Sequence, residues 1–207
     1  MKEFSKRVVF TMGGKGGVGK TAVVVALAEW FQANEIPVTL LDLDSKNKAR
    51  GSLKRFFNGT VTKVDVHTPA VLDAFVDHLD NGTPIIHADM GAGAGQVAAG
   101  WFDSMYEYAA ATSARFTAVG IVTPDPASVE SVLAWANQLQ NRVEYGVCHR
   151  RERDECAGGF HILAFNETGQ SVPSSFRASH PADGVSPGRT RKPTPAAWHS
   201  TRSGRRP

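Results

Sequence analysis

Residues 13 to 21 read Gly-Gly-Lys-Gly-Gly-Val-Gly-Lys-Thr and follow directly on the apolar run Val8-Val9-Phe10. The nonapeptide satisfies the pattern G-x-x-x-x-G-K-S/T with Gly14, Gly19, Lys20 and Thr21. Glycines let the backbone turn sharply and come close to a phosphate chain. Successive N–H groups from Gly14, Lys15, Gly16, Gly17, Val18 and Gly19 then form an anion nest, to which the N-terminus of a following helix adds its positive end. In such a loop Lys20 reaches the β- and γ-phosphates of a nucleotide and the Thr21 hydroxyl ligates Mg²⁺.

Working outward, Val8–Met12 is a short apolar strand feeding the loop, and Thr21–Asn34 is a helix whose wetter end carries Glu29, Gln32 and Asn34. Pro37 opens a second strand, Val38–Asp42, which completes a βαβ unit. Residues 45–60 read as a loop with a short helix near Leu53–Phe57, and 71–79 as a helix closed by Asp80-Asn81-Gly82. Strands at Pro84–Asp89, Phe116–Val122 and Val143–Cys148 alternate with helices at Val97–Ser113 and Ala127–Asn141. The alternation predicts an α/β fold of three layers, a mainly parallel open sheet with helices on both faces.

A nucleotide hydrolase also needs acids to hold Mg²⁺ and orient a water. Two candidates stand where strands end: Asp42 and Asp44 in Leu41-Asp42-Leu43-Asp44, and Asp89 closing Ile85-Ile86-His87-Ala88-Asp89. An apolar strand ending in an acid is the pattern whose carboxylate holds the metal. The glycines at 91, 93 and 95 form either a switch loop or a plain connector. Pro126 in Thr123-Pro124-Asp125-Pro126 suits the first position of a helix. The histidines show no metal spacing, Cys148 reads as a buried strand residue, and 150–155 as a solvated mixed-charge run.

Lys15 is not required by the generic pattern, and K-G-G-V-G-K-T stands unbroken from Lys15 to Thr21. In this the chain resembles, over about residues 6 to 150, the deviant Walker A ATPases of the ParA and MinD type. The resemblance implies a P-loop ATPase fold that binds ATP and Mg²⁺ and forms an ATP-dependent homodimer. It implies that Lys15 crosses to the partner's phosphates as a catalytic group. It also implies that Asp44, the second acid of a D-x-D switch, positions the attacking water and approaches the metal, with Asp42 in support. Metal ligation falls to Thr21, Asp44 and Asp89. The loop holding Pro124 then lies near the nucleotide and the dimer partner. His149 stands where the family reads adenine with an asparagine, a departure from the pattern.

The implied function is a Mg²⁺-dependent dimerisation switch in plasmid or chromosome partition, or in plasmid maintenance or conjugative transfer. Its partners are a DNA-binding adaptor protein and DNA, reached directly or through the adaptor. The competing readings are an ATP-dependent biosynthetic synthetase of the same superfamily, which generally lacks the second lysine, and a nucleotide-binding module with negligible turnover. Two cysteines, no apolar run long enough for a bilayer and no secretory start point to a reducing cytoplasm and no integral membrane association.

The formal charge of +3 is unevenly spread. Residues 1–165, the ATPase domain, hold 16 Lys+Arg against 18 Asp+Glu, whereas residues 166–207 hold 7 against 2. Six of the eleven prolines fall in 171–207, beside only two aromatics, Phe176 and Trp198. Such a Ser/Pro/Arg-rich stretch reads as a disordered basic tail. It is what an out-of-frame reading of a GC-rich gene tends to produce; a DNA-contacting arm is the other account.

Overall fold

The computed structural model of the 207-residue chain describes residues 6–43, 52–57, 59–64, 75, 77–80, 82–91, 95–150, 160–165 and 171–174. Strand β1 (Lys6–Met12) is the centre of the sheet. Helix α1 (Lys20–Ala33) returns the chain to β2 (Val38–Asp42), and β3 (Val61–Lys63) lies beyond it at the edge. Strand β4 (Ile85–Asp89), helix α2 (Gly95–Ala111), β5 (Ala114–Val122), helix α3 (Pro126–Leu139) and β6 (Glu144–Arg150) follow. Two short strands close the order, β7 (Phe160–Phe165) and β8 (Ser171–Ser174).

The strands lie in the order β3-β2-β4-β1-β5-β6-β7-β8. The first six run parallel and the last two antiparallel. The parallel strands therefore deliver Met12, Asp42, Asp89 and Val122 to one carboxyl edge, where open α/β sheets bind ligands. The chain's direction of winding reverses at β1, which has β4 on one side and β5 on the other.

Strand alternation sorts the core. Val8, Phe10 and Met12 join Ile86, Ala88 and Phe116 in one apolar cluster with Phe102 of α2 and Trp135 of α3. Val9 projects the other way and packs with Val23 of α1. Helix α1 carries three consecutive β-branched residues, Val23 to Val25, which have no strong helical preference. Val23, Val24 and Ala28 are buried, so the helix is held by packing on the sheet. It ends at Asn34, whose side-chain amide donates to the Trp30 carbonyl at 2.8 Å, and Glu35 turns with φ +56°.

The α/β alternation and the mainly parallel sheet agree with the sequence reading. Three strands extend it. β3 lies just past the loop read over 45–60, and β7 turns out antiparallel. β8 falls inside the stretch read as tail from 166 onward, pairing Val172 with Ala164. Pro173 is tolerated there because an edge strand has an open side. Residues 175–207, and with them the rest of the expected tail, lie outside the described residues. So do most of the helix expected over 71–79, of which 75 and 77–79 are helical, and the Gly-rich residues 92–94.

Candidate functional site: a phosphate loop and its acidic edge

The chain leaves β1 at Met12 and reaches α1 through Gly13–Gly19. Gly13 takes φ +110°, and a Cβ there would come within 3.4 Å of Ser131 and Val132 of α3. The loop thus starts wedged against α3. Gly19, at φ +102°, caps α1 without any side-chain bond, which leaves the first amides of the helix facing the loop. Val18 is buried against Val23 and Ile121. Its side chain anchors the loop, so only its backbone can serve a ligand.

Lys20 is almost wholly buried, and its ammonium spans the loop to donate to the Lys15 carbonyl at 2.7 Å. One residue on, the Thr21 hydroxyl donates to Asp89 Oδ2 at 2.7 Å. Asp89 is 2% exposed. A hydroxyl and a carboxylate converging beside a phosphate loop are an all-oxygen donor set of the kind that holds Mg²⁺. The two residues therefore fit the metal that the sequence pattern implies.

Asp42 is the Cα partner of Asp89 on the neighbouring strand and points to the same face. It is fully buried and accepts the Ser52 hydroxyl. Ser52 also accepts from the Lys54 amide and caps a short 3₁₀ turn at Leu53–Arg55. Both ends of the segment holding Asp44 are thereby attached to β2, and Leu43 donates to the Asp89 carbonyl at 3.0 Å. Asp44 itself lies outside the described residues.

Lys15 and Asp125 form an ion pair at 2.9 Å, with 42% and 47% of their side chains exposed. Asp125 is also the N-cap of α3, accepting from Ala127 at 3.0 Å, with Pro126 in the first turn. The Lys15 hydrogen bond, then the Ala127 amide, hold its carboxyl below the usual carboxylate range. The loop is braced by buried Ser128, whose hydroxyl donates to the Asp125 carbonyl at 2.7 Å and accepts from the Thr123 amide at 2.9 Å. Pro124 is exposed on this loop, beside the Asp125 that Lys15 reaches. His149 stands within β6, between Val122 of β5 and His161 of β7.

The geometry thus gathers Lys15, Lys20, Thr21, Asp89 and the Pro124 loop at one edge. Asp125 and Ser52 emerge as structural participants that sequence alone did not single out. Only the acidic residue ahead of a helix-opening proline was a readable signal for Asp125.

Fold and site together define a phosphate-loop nucleotide-binding protein. Residues 9–163 match the CobQ/CobB/MinD/ParA nucleotide binding domain, and the chain belongs to this family, CbiA. No curated protein sequence matches it. Among solved structures it is similar to chloroplast FtsY from Physcomitrella patens, at 16% identity and a TM-score of 0.48, over 68% of this chain and 48% of that one. It is also similar to FtsY from Mycoplasma mycoides, at 13% identity and a TM-score of 0.43, over 66% of this chain and 50% of that one. The chain spans about half the length of both. Among the described residues no helix is long and apolar enough to cross a membrane.

Proposed function

We propose that the chain is a Mg²⁺-dependent ATPase switch that dimerises on ATP, acting in plasmid or chromosome partition or a related plasmid maintenance or transfer process. The observation that carries this reading is Lys15, a second lysine whose ammonium points away from its own loop toward the rim at Asp125. At that half-exposed rim the ammonium can exchange Asp125 for a facing copy, whereas Lys20 is committed inside the loop. The matched family spans CobQ and CobB as well as MinD and ParA, so it is the second lysine, Lys15, that supports the switch reading over a biosynthetic one.

In this reading Lys20 and the loop amides bind the β- and γ-phosphates, and Thr21 and Asp89 hold Mg²⁺. The metal, when bound, neutralises charge that develops between those phosphates. Asp44 orients the attacking water and takes its proton as the γ-phosphoryl group leaves the β-phosphate oxygen. Lys15 stabilises that charge from the partner chain. Pro124 lines the nucleotide and dimer side, and His149 offers a hydrogen bond to the base. The acting partners are a DNA-binding adaptor and DNA, in the cytoplasm.

Sedimentation and turnover measurements test the reading. Asp44→Ala should dimerise with ATP and Mg²⁺ and lose hydrolysis by about 10²-fold or more. Lys15→Ala should abolish the dimer, and Lys20→Ala should lose nucleotide affinity. Wild-type dimerisation and turnover in Lys15→Ala would overturn the dimer-switch reading. Negligible wild-type turnover with DNA and adaptor present would favour a binding module.

A further inference from the structure

His87 lies two residues before Asp89 on β4, so both side chains project to the face covered by α1. It is wholly buried. Its Nδ1 is 3.2 Å from the Val9 carbonyl of β1 and its Nε2 is 3.1 Å from the Val24 carbonyl of α1. Phe31, near the end of α1, packs edge-on against the ring at 6.0 Å between centroids. No step of nucleotide or metal binding uses this imidazole. An apolar residue would avoid the cost of burying its two nitrogens on a strand that is otherwise hydrophobic ahead of Asp89.

Two polar rungs therefore join α1 to β4: Thr21 to Asp89, and Val24 to His87. They are about 4.5 Å apart along the helix and about 6.6 Å apart along the strand. A helix fastened at both cannot slide or roll on the strand without breaking one. β1 and β4 are already registered by their ladder, in which Val9 and His87 are partners. A neutral imidazole has one N–H to give. Given to Val9 it would add little to that registration; given to Val24 it places the helix.

We propose that His87 is a positioning residue for the metal site, its Nε2–H donating to the Val24 carbonyl and setting α1 on β4 so that Thr21 meets Asp89. This rests on the reading of Thr21 and Asp89 as Mg²⁺ holders. Glutamine places an amide N–H near the Nε2 position and asparagine near the Nδ1 position, so the two variants separate the two bonds.

The experiment measures ATP affinity of the full chain in EDTA and across a Mg²⁺ titration, with circular dichroism to verify folding. All three proteins should bind ATP alike in EDTA, because the phosphate loop is intact. The Mg²⁺ concentration for half-maximal tightening should rise about tenfold or more in His87→Asn and stay near wild type in His87→Gln. A folded His87→Asn that follows wild type would overturn the proposal. So would equal weakening in both variants, or a loss already present in EDTA. A wild type whose ATP affinity ignores Mg²⁺ would instead remove the metal-site reading and this inference with it.

Discussion

The two faces of the sheet are built from different chemistry on the same strands. Toward α2 and α3, β1, β4 and β5 present Val8, Phe10, Ile86, Ala88 and Phe116, a wholly apolar layer. Toward α1, β1, β2 and β4 bury Thr11, Asp42, His87 and Asp89 beside the apolar Val9 and Leu40. Each of these has a bond: Thr11 accepts from the Met90 amide at 3.1 Å, Asp42 from Ser52, and Asp89 from Thr21, while His87 faces two carbonyls. A period of two along a central parallel strand is what allows one layer to be wholly apolar while the other sets buried polar groups among its apolar contacts. The apolar layer loses only packing when altered. The polar layer loses a partner and leaves a buried group exposed to its full desolvation cost.

The largest effect expected from breaking this comparison lies on the apolar face. Phe102 is 3% exposed and packs its ring against Phe116 at 5.2 Å and Phe10 at 6.0 Å. Phe102→Ala should cost about 3–5 kcal/mol in urea unfolding. The fraction that remains folded should keep wild-type ATP affinity, measured by equilibrium binding. Weakened affinity in folded protein would mean that the two faces are not separable.

A somewhat smaller effect is expected from acid on the polar face. Burial lowers the His87 pKa from 6.5 to about 4, against two carbonyl contacts that favour the charged ring. Between those values the unfolded chain binds a proton that the folded chain refuses, so stability falls as pH drops through this window and is unaffected above it. The full depression corresponds to about 3 kcal/mol, roughly three-quarters of which is lost by pH 4.5. Carboxylates begin to titrate there too, so the measurement is the difference between wild type and His87→Gln in urea midpoints from pH 7 to 4.5. Parallel curves would show that the ring is not held neutral in the fold.

The alternation of β1, α1, β2, β4, β5, α3 and β6 was legible because each carries its own periodicity and its own punctuation, such as Asn34, Pro37 and Pro126. Strand β3 has three residues, too few for any period to show. Phe160–Phe165 is mostly apolar, yet nothing in such a run states which way it lies beside its neighbour. Ser-Val-Pro-Ser at 171–174 has one apolar side chain besides a proline and reads as loop until β7 is there to pair with it. The site divides in the same way. Lys20, Thr21 and Asp89 belong to motifs whose spacing carries the chemistry. Ser52, His87 and Asp125 matter through what lies opposite them, a carboxylate, a helix carbonyl and a lysine, and only the fold brings those together.

An ion pair crosses between the two faces, and it supports the smallest and most specific expectation. Lys15 belongs to the loop that leads into α1, and Asp125 is the N-cap of α3 on the other side of the sheet. Both are about half exposed, so the pair contributes little to stability, and screening by salt weakens it further. Its effect should fall instead on where Lys15 is kept. Asp125→Asn removes the charge and retains a good N-cap, whereas Asp125→Ala removes both. Asp125→Asn should therefore melt with wild type while associating at a lower ATP concentration in sedimentation, because Lys15 no longer has an acid of its own chain to leave. Raising salt should shift wild type toward that behaviour and leave Asp125→Asn where it is. If Asp125→Asn instead associates less readily, the acid holds Lys15 in the position that assembly uses, and the crossing contact aids the dimer rather than competing with it.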